Sequence, residues 1–283
     1  MPDDYQLVTL ANGQRTLFSA SYGEKMHPGL GPQAEADLLY VSQLHIPERL
    51  AETSGEFVIW DIGLGAAANA IAVLRATSQI PGRLCLVSFD NTAEPLEFAL
   101  KNSAALGYLS SYEDHLNELL LARKVSFRNG PLHVEWQFHL GDFPAWLNQG
   151  RSAVPPPHAI FYDAFSPAKN PAMWTLPVFQ DLHRALDPQR PCALTTYSRS
   201  TLLRATLLMA DFFVGVGSAA GLKEETTIAA NTRDLVREPL DHSWLARARR
   251  SHSAEPLRQP AYSRASLSSD SISRLQAHSQ FQK

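Results

Sequence analysis

The sequence has only two cysteines in 283 residues, no excess of positive charge and no long apolar run. Two thiols cannot build a disulfide framework. Cys85 and Cys192 both lie inside apolar, strand-like stretches. Neither has a His-bearing loop beside it, so both read as buried thiols rather than nucleophiles. The ten histidines lack the paired spacing of a zinc site, and no metal is expected. The net charge of -3 gives no global pull toward nucleic acid. Any RNA contact requires a local patch, for which Arg199, Arg204 and Lys223 are the candidates. The longest apolar stretch, near 202–216, is interrupted by Arg204 and Asp211, too short a run to span a bilayer. The Met-Pro-Asp-Asp start lacks the basic and apolar regions of a signal peptide. The expectation is a cytoplasmic protein without membrane or metal.

What is present is an ordinary globular composition, 45% hydrophobic and 19% charged. Residues 1–50 read as an accessory segment. Apolar stretches 7–10 and 16–20 flank Asn12-Gly13, a strong hairpin signal, and Pro32 opens a helical pattern that runs to Leu44. Residues 51–245 alternate strand and helix patterns, with strands expected at 57–62, 84–89, 133–140, 159–162 and 192–197. Stretches 212–216 and 226–230 read as a closing antiparallel pair. Such alternation implies an α/β fold with a parallel sheet covered by helices on both faces. The expected sheet has seven strands, mainly parallel, with the last pair antiparallel. Residues 246–283 are rich in Ser, Arg and Gln with few apolar anchors, and disorder is expected there.

Residues 162–174 carry the most chemistry. A buried strand pattern ends in Asp163, and the loop that follows holds Phe165, Pro167, Lys169, Asn170, Pro171 and Trp174. A strand that delivers a carboxylate to a rigid loop is how open α/β sheets build active sites. Phe165 and Trp174 offer stacking surfaces, although Trp174 serves equally as a packing anchor. Lys169 suits a phosphate or a solvated face. Earlier, Asp61-Ile62-Gly63-Leu64-Gly65 follows the first parallel strand and opens a helix containing Asn69. The glycines let backbone approach a ligand, but Ala68 stands where a third glycine would complete a pyrophosphate loop, so a nucleoside fits at least as well. Asp90 ends the next strand, where an acid grips ribose hydroxyls, and Asp142 ends the third; each could instead cap a helix. Acids at four strand ends are hard to assign to capping alone.

The stretch 161–175 resembles the signature of the methyltransferase module of MnmC, the bifunctional tRNA 5-methylaminomethyl-2-thiouridine synthesis family, and its stand-alone relatives. The similarity continues through Thr195-Thr196-Tyr197-Ser198, 202–213 and Gly221-Leu222-Lys223-Glu224, and covers roughly 15–232. Asp61 to Asn69 looks like the family's acid-glycine loop, with Asp61 for the usual Glu and Ala66-Ala67 for Thr-Gly. Ser166 and Ala172 also depart from the commonest pattern.

The resemblance implies a class I S-adenosylmethionine-dependent, Rossmann-like methyltransferase acting on an aminomethyl group of a tRNA wobble uridine. Cofactor contacts then fall to Glu35, Asp61, Gly63, Gly65, Asn69, Asp90 and Asp142. Asp163 becomes the catalytic acceptor or orienter of the amine, and Phe165, Lys169, Asn170 and Trp174 the substrate contacts. The family's FAD-dependent oxidase is not expected in the chain, so a separate FAD-dependent or other enzyme would act upstream. Two rivals stand: an aminopropyltransferase acting on a polyamine, and a non-catalytic RNA-binding or assembly protein that kept the fold.

Overall fold

A computed structural model describes residues 4–149, 154–219 and 224–282. The Asn12-Gly13 turn joins β1 (Tyr5–Thr9) to β2 (Arg15–Ser19) in an antiparallel hairpin, and the short β3 (Glu24–Lys25) adds to its edge. Gly13 has φ +82°, the left-handed conformation that a tight hairpin turn demands. A helix at Pro32–Ala36 continues into one π-helical stretch at Asp37–Ser42.

The central sheet comprises β4 (Glu56–Ile62), β5 (Gly82–Asp90), β6 (Lys124–Asn129), β7 (Leu132–Leu140), β8 (Ala159–Tyr162), β9 (Ala193–Thr196), β10 (Phe213–Gly217) and β11 (Thr226–Ala230). Their order is β10-β11-β9-β8-β4-β5-β7-β6. Pairs among β7, β5, β4, β8 and β9 are parallel; β6 pairs antiparallel with β7, and β11 antiparallel with both β9 and β10. The sheet thus has eight strands rather than seven. The additional one, β6, is an edge strand folded back on β7 through Asn129-Gly130, a second Asn-Gly hairpin turn. From β4 the chain builds outward through β5 and β7, then returns to β8 on the other side. The carboxyl ends of β4 and β8 are therefore the topological switch point, where doubly wound sheets open a crevice.

Alternation along β4 shows why both faces are covered. Phe57 and Ile59 enter one core with the N-terminal helices and hairpin residues Tyr5 and Leu17. Val58, Trp60 and Ile62 enter the other. The second core also contains Ala254, Leu257, Leu267, Leu275 and Phe281. The expectation of a disordered tail is thereby corrected. A helix at Ser269–Ala277, capped by Ser268, lays Leu275 on the body. Gln280 donates to the carbonyls of Val214 and Leu240 at 2.8 Å each, and its Oε1 accepts from Val214 N at 2.7 Å. That side chain supplies hydrogen-bond partners to the β10 edge, which would otherwise be open. The apolar anchors lie three to ten positions apart among Ser and Arg, too sparse for composition to reveal.

Cys85 and Cys192 are buried free thiols. Among the described residues no helix is long and apolar enough to cross a membrane, and no group of three His, Cys, Asp or Glu side chains could hold a metal ion.

Candidate active site

A cleft of about 370 Å³ opens at the switch point and extends beneath the N-terminal hairpin. That volume suits a small-molecule ligand. Glu35, Gly63, Gly65, Asn69, Asp90, Asp142, Asp163, Phe165 and Asn170 line it, so nine of the expected site residues converge from four strand ends and an N-terminal helix.

One end is built mainly of backbone. Gly63 has φ +95°, and a Cβ there would stand 2.8 Å from the Asp163 carbonyl oxygen. Only glycine lets the turn after β4 pass this close to the turn after β8. Gly65 (φ +52°) donates its N–H to Asp90 Oδ2 at 2.9 Å, and Thr92 N donates to Asp90 Oδ1 at 3.3 Å. Burial pushes the Asp90 carboxyl up, while these backbone donors pull the other way. Ala67, where a glycine would be usual, itself sits at φ +61° before the helix Ala68–Thr77. Asp142 accepts from Ala145 N at 2.7 Å and caps the helix Phe143–Asn148 while still facing the cleft. Glu35 Oε1 accepts from Gly29 N at 2.6 Å and Leu30 N at 2.8 Å, which fixes the 27–30 turn. Bare glycine backbone with acids at the ends of β5 and β7 fits a nucleoside-bearing cofactor.

The other end is built of side chains. Asp163 is 16% exposed. Its Oδ2 accepts from Asn69 Nδ2 at 2.8 Å and faces His27 Nε2 at 3.4 Å. The Tyr40 hydroxyl is buried beside it without a hydrogen bond of ordinary geometry. Burial alone would raise the Asp163 carboxyl, but the His27 bond and charge, with Asn69 and Tyr40, hold it below its usual value. Burial would likewise lower His27, but the Asp163 carboxylate, followed by Glu35, raises it. Both shifts favour the charged form of each partner, carboxylate on Asp163 and imidazolium on His27. Phe165 stacks on Tyr22 with ring centroids 4.0 Å apart, and Glu24 accepts from Ser166 N at 3.1 Å and from its hydroxyl, so β3 clasps the loop.

Three expected contacts fall elsewhere. Trp174 is fully buried and donates its indole N–H to the Phe165 carbonyl at 2.7 Å; it is a packing anchor, not a stacking platform. Lys169 is exposed and does not line the cleft. Asp61 lies under the floor, 0% exposed, where Oδ2 accepts from Ser88 Oγ at 2.9 Å and Oδ1 has no partner. Burial pushes its carboxyl up to about 8, so it is neutral at pH 7. Of the residues expected to form a basic patch, the two described arginines are each paired with an acid. Arg204 is buried and paired with Glu225 at 3.1 Å, Arg199 faces Glu224 at 4.0 Å, and Lys223 lies outside the described residues.

His27, Tyr40, Tyr22 and Glu24 escaped the sequence reading. His27 precedes Pro28-Gly29, and nothing local ties it to a carboxylate 136 positions later.

Residues 110–232 match a family model described as S-adenosyl-L-methionine-dependent methyltransferase. The tRNA 5-methylaminomethyl-2-thiouridine biosynthesis bifunctional protein MnmC of Aeromonas hydrophila is 27% identical over 253 residues, 83% of this chain and 37% of that protein. Its counterpart from Burkholderia vietnamiensis is 29% identical over 224 residues, 75% of this chain and 33% of that protein. The chain spans about a third of the length of the curated relatives it matches. Among solved structures, MnmC2 from Aquifex aeolicus aligns with a TM-score of 0.67 at 22% identity, covering 96% of this chain and 82% of that one. A spermidine synthase in complex with the transition-state analogue AdoDATO aligns with a TM-score of 0.50 at 11% identity, covering 82% and 70%. At such identities these structures speak to the fold alone. The likeness first carried by the 161–175 loop thus extends over most of the chain, and the fold is the class I, Rossmann-like methyltransferase fold.

Proposed function

We propose that this chain transfers a methyl group from S-adenosylmethionine to the aminomethyl nitrogen of a modified wobble uridine in tRNA. The observation that carries this reading is Asp163, a charged, partly exposed carboxylate at the switch point, set against the glycine turn after β4. The tRNA specificity rests on the MnmC relatives, whose names state that pathway. A tRNA substrate in turn implies work in the cytoplasm.

S-adenosylmethionine, when bound, supplies a reactive sulfonium methyl. Gly63, Gly65, Asp90 and Asp142 are the residues to hold its nucleoside, with Asn69 and Glu35 bordering the junction of the two ends. Asp163 binds and orients the substrate ammonium, an attraction that strengthens as water is excluded. Its carboxyl is held low, so it is a poor proton acceptor and a good anchor. Phe165 and Tyr22 offer the aromatic surface for the uracil ring, and Asn170 a polar contact. Holding amine and methyl in line supplies much of the rate. The substrate must arrive as a primary amine, so an upstream enzyme, FAD-dependent or other, has to unmask it.

Incubation with labelled S-adenosylmethionine and tRNA from cells lacking this activity should label one nucleoside. Aminopropyl transfer from decarboxylated S-adenosylmethionine to a polyamine, with no methyl transfer to tRNA, would move the assignment to aminopropyltransferase-like chemistry, and a silent cofactor titration on folded protein would leave a binding module.

A further inference from the structure

Resting on the amine-methylation reading, we propose that His27 is the proton acceptor of the reaction: its Nε2 takes the proton of the substrate ammonium anchored on Asp163. The geometry is that of one carboxylate oxygen shared by two partners. Asp163 Oδ2 meets Asn69 Nδ2 at 2.8 Å and His27 Nε2 at 3.4 Å, and His27 Nε2 also lies 3.4 Å from Asn69 Oδ1. All three side chains line the same cleft, and His27 is 12% exposed, open enough to exchange a proton with solvent.

The other titratable groups nearby are unsuited. Asp163 is held below its usual value, and burial raises Tyr40 well above its own. Glu35 is tied to two backbone N–H groups on the 27–30 turn. Asp61 is under the floor with its proton on. The charges that face His27 from the elements packed on it are Asp163 after β8, Glu35 on the N-terminal helix and, when ionised, Asp61 on β4, with Asn69 as the neutral neighbour. Glu24 and Lys25 precede it on its own segment, and Glu24 is engaged by Ser166.

In the free site His27, when protonated, neutralises Asp163 across 3.4 Å. An arriving ammonium makes two cations compete for one carboxylate in a poorly solvated cleft, a like-charge contact that expels a proton. Imidazolium is the stronger acid of the two, so His27 loses its proton to solvent and the ammonium takes its place. An N–H bond of the ammonium then breaks as one forms on His27 Nε2, leaving the nitrogen lone pair. That pair forms the new C–N bond while the S–C bond breaks and its electrons leave with sulfur. The products are a secondary ammonium and a neutral thioether, and His27 and Asp163 are again an ion pair.

The test compares wild type with His27→Gln and His27→Asn from pH 6 to pH 10, using tRNA bearing the primary amine and labelled S-adenosylmethionine. Both variants should fall about 100-fold or more in kcat at pH 7, within the usual range for loss of a general base. Cofactor affinity by calorimetry should stay close to wild type, which also certifies folding. The deficit should shrink about tenfold per pH unit as the bulk ammonium loses its proton unaided. Variants with wild-type kcat at pH 7, or a deficit that stays constant up to pH 10, would overturn the role. If wild type itself transfers no methyl, the underlying function fails rather than the role of His27.

Discussion

β4 and β8 are adjacent parallel strands, and each delivers an aspartate at its carboxyl end, yet the two side chains have opposite fates. Asp61 pairs in register with Phe161, two positions short of Asp163. It points into the sheet interior with one hydrogen-bond donor, Ser88, and burial keeps it protonated up to about 8. Asp163 emerges into the cleft, meets Asn69 and His27, and stays ionised. Similar position and identical chemistry give a neutral floor group and a charged anchor. The surrounding donors and the access of water decide which acid acts.

The sharpest way to break this contrast is to remove the working carboxylate. Asp163→Ala should cost on the order of 10²–10⁴-fold in kcat, the range for a group that positions or charges the reacting centre. S-adenosylmethionine affinity by calorimetry should barely move, because the nucleoside end stands on Gly63, Gly65 and Asp90. A collapse of cofactor binding would instead make Asp163 a cofactor ligand.

The second test strikes where the two strand ends touch. Gly63→Ala would place a Cβ 2.8 Å from the Asp163 carbonyl oxygen at φ +95°. Strain of ~1–3 kcal/mol in this region corresponds to about tenfold or more in cofactor Kd, with a lowered Tm and reduced transfer. Asp163→Ala affects one end, whereas Gly63→Ala should damage both. Unchanged calorimetry and melting for Gly63→Ala would show that the turn has room.

The strands at 57–62, 84–89 and 159–162 were legible because a doubly covered parallel strand is apolar along most of its length, and 133–140 because it alternates apolar and polar residues. Their terminal acids and glycines were legible as interruptions of those runs. Three kinds of feature were not. Long-range partners such as His27 and Tyr22 carry no local mark, since their meaning comes from a hairpin folding over a loop more than a hundred positions away. The direction a side chain takes at a strand end is invisible too, so Asp61 and Asp163 read alike. Trp174 was ambiguous for a related reason. A large aromatic in a proline-bound loop serves stacking or packing equally well until its indole N–H finds the Phe165 carbonyl. Sparse anchoring misled as well, since a tail held by Leu257, Leu275, Gln280 and Phe281 looks solvated by composition.

The smallest expected effect isolates the silent acid. The Asp61 carboxyl ionises near 3.8 when unperturbed and at about 8 in the fold. Between those values the native state holds a proton that the unfolded chain has released, so this group lowers stability progressively as pH rises from about 4 to 8. The Asp163 carboxyl acts with the opposite sign: its contribution is present above the unfolded value and lost as pH falls. His27, raised in the fold, contributes below its unfolded value and loses that as pH rises through the folded one. Asp61→Asn keeps the size and an acceptor for Ser88 but cannot ionise. Its Tm should match wild type near pH 4 and exceed it increasingly as pH rises toward 8. The Asp163 and His27 contributions, common to both proteins, cancel to the extent that they are independent of Asp61. Parallel melting curves across that window would mean that Asp61 is ionised in the folded protein, and the contrast between the two strand ends would then rest on orientation alone.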